Sequence, residues 1–152
     1  MSIFNILHIK KQWQKCTTMT RINVIPVTEL TDQHLMAEYR ELPMVPASAR
    51  RSDPRKYKPS ESYTLNKGHV LFFFNKKKYL LDRWLDLIAE LHDRGYKIDP
   101  SARTVHWTAL DRFPQVDWQP DAHARSVNEE RLIQRIKQRP GWYRFRGKKM
   151  NP

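Results

Sequence analysis

The sequence predicts an all-α protein, a single compact domain of three main helices with long irregular connections. Apolar side chains recur at helical spacing in three separate stretches, whereas the alternating pattern of a β-strand does not extend over any useful length. With 152 residues, the chain is the size of one domain that buries a modest core.

The first predicted helix covers residues 31–42. Four apolar residues share one of its faces: Leu35, Met36, Tyr39 and Leu42. Thr31 or Asp32 can cap its N terminus, and Pro43 kinks or ends it. Residues 44–62 follow with several prolines and cations and no apolar periodicity. We therefore expect them to form a surface loop that orders on its partner.

The longest predicted helix covers residues 66–92. Its apolar residues repeat at helical spacing and should face the core: Val70, Phe73, Phe74, Leu81, Trp84, Leu85, Ile88 and Leu91. Gly95 follows as the expected C-terminal cap. Lys76, Lys77 and Lys78 predict a solvated face near the middle of this helix, with a nucleic-acid contact as the alternative.

The third predicted helix begins at Ser126, whose spacing to Glu129 fits a capping box. Before it, residues 97–125 read as an irregular connection anchored by three aromatic residues: Trp107, Phe113 and Trp118. The expected buried side of the helix consists of Leu132, Ile133 and Ile136. Arg131, Arg135 and Arg139 form a cationic stripe four residues apart, and Pro140-Gly141 ends the helix. The tail that follows interleaves aromatic residues with cations.

The charge of the chain predicts a polyanionic partner. Lys and Arg number 28 against 16 Asp and Glu, which gives a net charge of +12. Nucleic acid and an anionic membrane surface are the two candidates. The single cysteine, Cys16, excludes an internal disulfide and fits a reducing compartment. Since the sequence has no apolar run of about 20 residues, we expect a cytoplasmic protein that does not span a membrane.

Several common enzyme sites are missing from the sequence. It has no glycine-rich phosphate loop, no cysteine pair and no His-Glu-x-x-His motif, so we expect neither a metal nor a cofactor. Glu41 beside Arg40 is by itself an ordinary helix pair. Together with a free α-amine it supports other chemistry. An α-amine has a pKa of about 8, can form a Schiff base with a sugar aldehyde, and can displace a base at the anomeric carbon.

Across residues 19–148 the sequence resembles the pyrimidine-dimer DNA glycosylase/AP lyase family of T-even phages. The longest matching segment is Asp32-Gln33-His34-Leu35-Met36-Ala37-Glu38-Tyr39-Arg40-Glu41-Leu42-Pro43. The other segments are Met19-Thr20-Arg21-Ile22-Asn23, Gly68-His69-Val70 with Phe72-Phe73, and Gln138-Arg139-Pro140 with Trp142-Tyr143. The resemblance implies three main helices with the N-terminal segment threaded between them. It also implies cleavage of the glycosyl bond of the 5′ pyrimidine in a cyclobutane dimer, followed by β-elimination.

Carried over by position, the resemblance assigns roles to individual residues. Thr20 would supply the nucleophilic α-amine, and Glu41 would be the catalytic carboxylate. Arg40 would help to hold the kinked DNA strand beside the reacting sugar. The implied DNA-binding residues are Arg21, Gln33, His34, Arg131, Arg135 and Arg139. The partner would be double-stranded DNA with pyrimidine dimers or abasic sites, and the base opposite the dimer would be flipped out. We expect a monomer.

The sequence departs from the family in two places. Met44 stands where the family has an arginine of the cationic clamp, and Arg50 or Arg51 could compensate for it. Residues 1–18 have no counterpart in the family. We expect Met19 to be the true initiator, so that residues 19–152 form the glycosylase domain. A processed prepeptide and an inactive extended form are the alternatives, because Thr20 in the written chain has only an amide nitrogen.

Two other functions remain open at this point. A noncatalytic helical binder of nucleic acid would use the same cations and would give no covalent adduct with DNA. A membrane-surface protein anchored by residues 1–18 is the third alternative, and it leaves the family resemblance unexplained.

Both nucleic-acid functions predict binding that weakens with salt. If Arg21, Arg131, Arg135 and a few loop cations contact phosphates, the slope of log K against log salt should be on the order of −4 to −7. Titration of labelled duplex DNA at several salt concentrations measures this slope, and a flat dependence would contradict both functions.

Overall fold

The computed structural model describes residues 22–150. The predictions for residues 1–18, Met19, Thr20 and Arg21 lie outside this part of the chain. Within it, helices dominate, and the expected all-α class is confirmed. The helices are α1 (Asp32–Glu41), α2 (Met44–Arg50), α3 (His69–Phe72), α4 (Lys77–Asp93) and α5 (Ala122–Gln138). Two antiparallel strands, β1 (Arg144–Phe145) and β2 (Lys148–Lys149), form a small hairpin near the C terminus.

The first predicted helix is confirmed as α1. The hydroxyl of Thr31 caps it by accepting a hydrogen bond from the backbone N–H of His34. Leu35, Tyr39 and Leu42 are buried, as the apolar periodicity predicted. None of the helices in residues 22–150 combines the length and the apolar character needed to cross a membrane.

The prediction of a loop over residues 44–62 is wrong at its start, because α2 forms there. Val45, Pro46 and Ala49 of α2 are buried, and the helix packs on a 3-10 helix over Trp107–Arg112. A proline in the first turn removes an N–H that has no intrahelical partner there, so Pro46 does not interrupt α2. With only seven residues, α2 is too short to display a convincing apolar period.

The prediction of one long helix over residues 66–92 is also wrong. The helix is interrupted at residues 73–76, between α3 and α4. Phe72, Phe73 and Phe74 are all at most 2% exposed. Consecutive side chains on a helix point about 100° apart, so a helix packed on one side only would not bury three adjacent rings. Leu85, predicted as core, is 63% exposed on α4.

Lys76 is buried, which corrects its prediction as part of a solvated face. Its Nζ donates to the Phe72 carbonyl oxygen at 2.8 Å and lies 3.6 Å from the centroid of the Phe72 ring. Burial lowers the pKa of Lys76 to about 8. The residue therefore stabilises the turn between α3 and α4.

The end of α4 agrees with the sequence and the start of α5 does not. Gly95 has a φ of +86°, and the Tyr96 N–H donates to the Leu91 carbonyl in the expected glycine cap. The N-cap of α5 is Asp121, whose side chain accepts from the Ala124 N–H, so the helix begins before Ser126. Ile133 is exposed, contrary to prediction, and the buried face consists of Ala124, Asn128 and Leu132.

A buried ion pair joins α1 to α4 at the centre of the fold. Arg83 Nε donates to Glu38 Oε2 at 2.6 Å, and both side chains are almost inaccessible to solvent. Burial by itself lowers the pKa of Arg83, but the charge and hydrogen bonds of Glu38 outweigh it and raise that pKa. Glu38 Oε1 also accepts from the backbone N–H and the amide of Asn23. The pair therefore links two helices to the extended chain before α1.

Removing Glu38 should strongly destabilise the protein. Glu38→Ala leaves the Arg83 charge buried and two Asn23 donors without an acceptor, which should cost about 3–5 kcal/mol in the free energy of unfolding. Urea denaturation followed by circular dichroism measures this loss. The matched control is Glu130→Ala at an exposed position of α5, which should change stability by less than about 0.5 kcal/mol. Equal midpoints for both variants would contradict the role of Glu38.

Candidate active-site cleft

The extended chain at residues 22–25, the N-terminal segment, is held by side chains and not by a neighbouring strand. The Ile22 N–H donates to His69 Nε2 at 2.7 Å, and the Tyr63 hydroxyl donates to the Ile22 carbonyl at 2.8 Å. The Val24 N–H donates to Asn128 Oδ1 at 2.7 Å. Since α1, α3, α4 and α5 all contribute holding groups, the family expectation of a segment threaded between helices is confirmed for residues 22–25.

The backbone and side-chain polar groups of Asn23 are all hydrogen-bonded. Its backbone N–H donates to Glu38, its carbonyl accepts from the Tyr79 hydroxyl at 3.1 Å, and its side-chain oxygen accepts from the Asn128 amide at 2.8 Å. Burial raises the pKa of Tyr79, which keeps its hydroxyl protonated as a donor. The backbone at Asn23 therefore has a defined position relative to α1.

A cleft of about 730 Å³ opens beside this segment. It brings together six of the residues predicted for the site: Gln33, His34, Arg40, Glu41, Arg135 and Arg139. Asn23 lines the same cleft as Glu41, so the N-terminal segment borders it. Trp142, Tyr143 and Arg144 of the C-terminal region also line the cleft.

The cleft lining follows from the helical period of α1. Gln33, Ala37, Arg40 and Glu41 all face the cleft, while Leu35, Glu38 and Leu42 are buried on the other side. Spacings of three, four, seven and eight residues return to one face of an α-helix. One helix therefore contacts the core through one face and presents functional groups through the other.

Gln33 and His34 hold the C-terminal hairpin, residues 142–149, against α1. Gln33 Nε2 donates to the Trp142 carbonyl at 2.6 Å, and Gln33 Oε1 accepts from the Arg144 N–H at 2.9 Å. The ring of His34 stacks on Tyr143 with centroids 4.5 Å apart. Both residues were predicted to bind DNA. In the structure they line the cleft and also hold Trp142, Tyr143 and Arg144, which line it too.

A second group of residues, which the sequence did not reveal, anchors the far end of the hairpin. The carboxylate of Asp32 accepts from the backbone N–H groups of Arg146 and Gly147 and from the guanidinium of Arg94. Arg94 and Arg146 both bind Glu90. The Gly147 backbone has a φ of +79°, which favours glycine in this turn. Three consecutive residues of α1, beginning at Asp32, thus hold the hairpin.

The cations of the predicted stripe separate into two groups. Arg135 and Arg139 line the cleft together with Arg40, and the Arg139 guanidinium lies 4.1 Å from the Trp142 ring centroid. Arg131 lies outside the cleft lining, and its guanidinium is 3.4 Å from Asn66 Oδ1. With four arginines against the carboxylates of Asp32 and Glu41, the cleft lining carries a net positive charge.

Met44 begins α2, directly after the end of α1, and is 49% exposed. Arg50 and Arg51, which could replace its missing charge, lie at the other end of α2 and are exposed. Six or seven helical residues separate them from Met44, a distance of roughly 10 Å along the helix axis. Among residues 22–150, no group of three His, Cys, Asp or Glu side chains is arranged to hold a metal ion.

Removing the Gln33 amide should loosen the hairpin without unfolding the domain. Gln33→Ala deletes both hydrogen bonds to the hairpin backbone, and a net loss of about 1.4 kcal/mol should speed amide exchange at Arg144 about tenfold. Hydrogen exchange followed by NMR measures this. Gln134→Ala, on the exposed face of α5, is the control. Unchanged exchange at Arg144 would show that Gln33 does not hold the hairpin.

The cleft combines a carboxylate, several arginines and exposed aromatic surface at the end of a threaded N-terminal segment, which suits an acidic nucleic-acid substrate. A comparison with known families agrees with this chemistry. The family model described as pyrimidine dimer DNA glycosylase matches residues 19–104, more than half of the chain. The chain therefore belongs to the pyrimidine dimer DNA glycosylase family, whose substrate is DNA.

Proposed function

We propose that the protein excises pyrimidine dimers from double-stranded DNA and then nicks the strand as an AP lyase, through an imine on the α-amine of Thr20. One observation carries this proposal: Asn23 and Glu41 line the same cleft. Thr20 precedes Asn23 by three residues, a distance of at most about 10 Å along the chain. This length of chain allows an amine at Thr20 to lie in the cleft that Glu41 lines.

The proposed reaction needs two groups of the protein: an amine that attacks the sugar, and a carboxylate that stabilises charge and transfers protons. The neutral amine attacks C1′ of the sugar, and the glycosyl bond breaks as the base leaves with the bonding electrons and gains a proton. The sugar ring then opens to an imine. Loss of a proton from C2′ expels the 3′ phosphate oxygen, which breaks the strand, and water releases the amine. Glu41 stabilises the cationic sugar and transfers protons in these steps.

The arginines of the cleft would hold the DNA backbone around the reacting sugar. Arg40 lies next to Glu41 in sequence and lines the cleft with it, so it can hold a phosphate beside the sugar. Arg135 and Arg139 approach from α5, where they can neutralise further phosphates. We assign Arg21 and Arg131 to more distant phosphates, as the family resemblance implies.

The proposal requires a free amine on Thr20. We propose that translation starts at Met19 and that this methionine is removed, which makes residues 19–152 the functional domain. The family match begins at residue 19, which supports this start.

A noncatalytic nucleic-acid binder is the second candidate. The exposed Met44 favours it, because the family resemblance places at this position an arginine of the cationic clamp at the target sugar, which a noncatalytic binder would not need. Both functions share the salt-sensitive binding, but only the enzyme forms a covalent imine. Borohydride reduces an imine to a stable amine, so trapping on DNA with a pyrimidine dimer separates the two.

Glu41→Gln should abolish strand cleavage while leaving binding to dimer DNA within about threefold of the native protein. The amide keeps the shape of the side chain but can neither stabilise the cationic sugar nor accept a proton. Gel analysis of nicked dimer DNA measures cleavage, and fluorescence anisotropy measures binding. The matched control is Glu130→Gln, outside the cleft, which should cleave normally. If Glu41→Gln cleaves as fast as this control, the assignment of the carboxylate is wrong.

A further inference from the structure

His69 uses both nitrogens of its ring. Nδ1 lies 2.6 Å from the Thr64 carbonyl oxygen. A carbonyl oxygen can only accept a hydrogen bond, so Nδ1 carries the proton. Nε2 then presents its lone pair, and it accepts the Ile22 N–H at 2.7 Å. The structure thus defines the tautomer of a histidine that is 2% exposed.

The surroundings fix the direction of this lone pair. The rings of Tyr63 and Phe73 meet the His69 ring nearly edge-on, with centroids 5.6 and 5.4 Å away. The Tyr63 hydroxyl donates to the carbonyl of Ile22, the same residue whose N–H is bound by His69. Ile22 is therefore held at both ends of its backbone by side chains that pack against each other.

Among residues 22–150, Ile22 is the closest in sequence to Thr20. Two residues of extended chain span at most about 7 Å. The position of Ile22 therefore limits where the proposed nucleophile can lie. Nucleophilic attack is sensitive to such displacements, since a misplacement of about 1 Å can cost about 100-fold in rate.

We propose that His69, as the neutral Nδ1–H tautomer, is a positioning residue for the nucleophilic amine and acts through the backbone N–H of Ile22. This inference rests on the proposed imine chemistry. His69 is not a catalytic residue in this account, because its two nitrogens are occupied by Thr64 and Ile22.

A matched pair of substitutions separates this role from that of a structural histidine. In His69→Gln, the side-chain oxygen can take the place of Nε2 and accept from Ile22, but the bond to Thr64 is lost. In His69→Asn, the amide nitrogen can take the place of Nδ1 and donate to Thr64, but Ile22 loses its acceptor. A purely structural role at Thr64 predicts that the Gln variant is the more impaired of the two. The positioning role predicts the reverse.

The measurement is the single-turnover rate of borohydride-trapped adduct on duplex DNA with an abasic site, at saturating protein. His69→Asn should slow trapping by about 10- to 100-fold, and its Kd for this DNA should stay within about threefold of the native value. His69→Gln should trap within about threefold of the native rate. If the native protein forms adduct and the Asn variant reacts as fast as the Gln variant or faster, the inference is overturned and the proposed function stands. If the native protein forms no adduct, both fall.

Tyr63→Phe keeps the inference testable should both His69 variants fail to fold. It removes the hydroxyl that binds the Ile22 carbonyl and keeps the buried ring. Loss of one hydrogen bond of about 1 kcal/mol should slow trapping about fivefold. Trapping at the native rate would show that the position of Ile22 does not control the amine, and would overturn the inference.

Discussion

The buried pair of Glu38 and Arg83 is the interaction on which the rest of the structure depends. Two opposite charges away from water are stable together only when their remaining hydrogen-bonding groups are satisfied. Asn23 and the Ile25 carbonyl supply those groups. The pair consequently requires the N-terminal segment to pass between α1 and α4. The hydrogen bonds that stabilise the buried ion pair therefore also place the N-terminal segment next to the cleft.

This arrangement gives α1 two tasks. Its buried face joins the core and orders the N-terminal segment, while its other face presents Arg40 and Glu41 to the cleft. The first turn of α1 also holds the C-terminal hairpin through Asp32, Gln33 and His34. The same helix therefore positions its own cleft residues and the hairpin residues that line the cleft. Sites on helices are positioned more accurately than sites on loops.

Sequence patterns predicted the elements whose signals are local. The apolar stripe and Thr31 cap of α1 and the glycine cap of α4 depend on neighbouring residues, and both are confirmed. The interruption after Phe72 was missed, because apolar residues at helical spacing do not show that three adjacent rings are all buried. Asp121 and Ser126 are both good capping residues, and the sequence does not say which one the fold uses.

The candidate site was predictable only in part. Glu41, Arg40, Arg135 and Arg139 were identified from the family resemblance, and the structure brings them into one cleft. The residues that order this cleft were missed: Glu38, His69, Arg83, Arg94 and Asn128. Each of them has a partner at least 15 positions away in sequence, and Asn128 binds Asn23 across 105 positions. A charged or amide residue within a helix is usually solvated. The signal that could have found them is their position on the apolar face of each helix.

The central claim is that a free amine on Thr20 is the nucleophile beside Glu41. The most direct measurement is the N-terminal sequence of the protein expressed from its native gene region, with peptide mapping of the borohydride adduct formed on dimer-containing DNA. The account predicts that the chain begins at Thr20 and that the adduct lies on its α-amine. A chain that begins at Met1 or Ser2 and forms no adduct, or an adduct located on a lysine side chain, would contradict it.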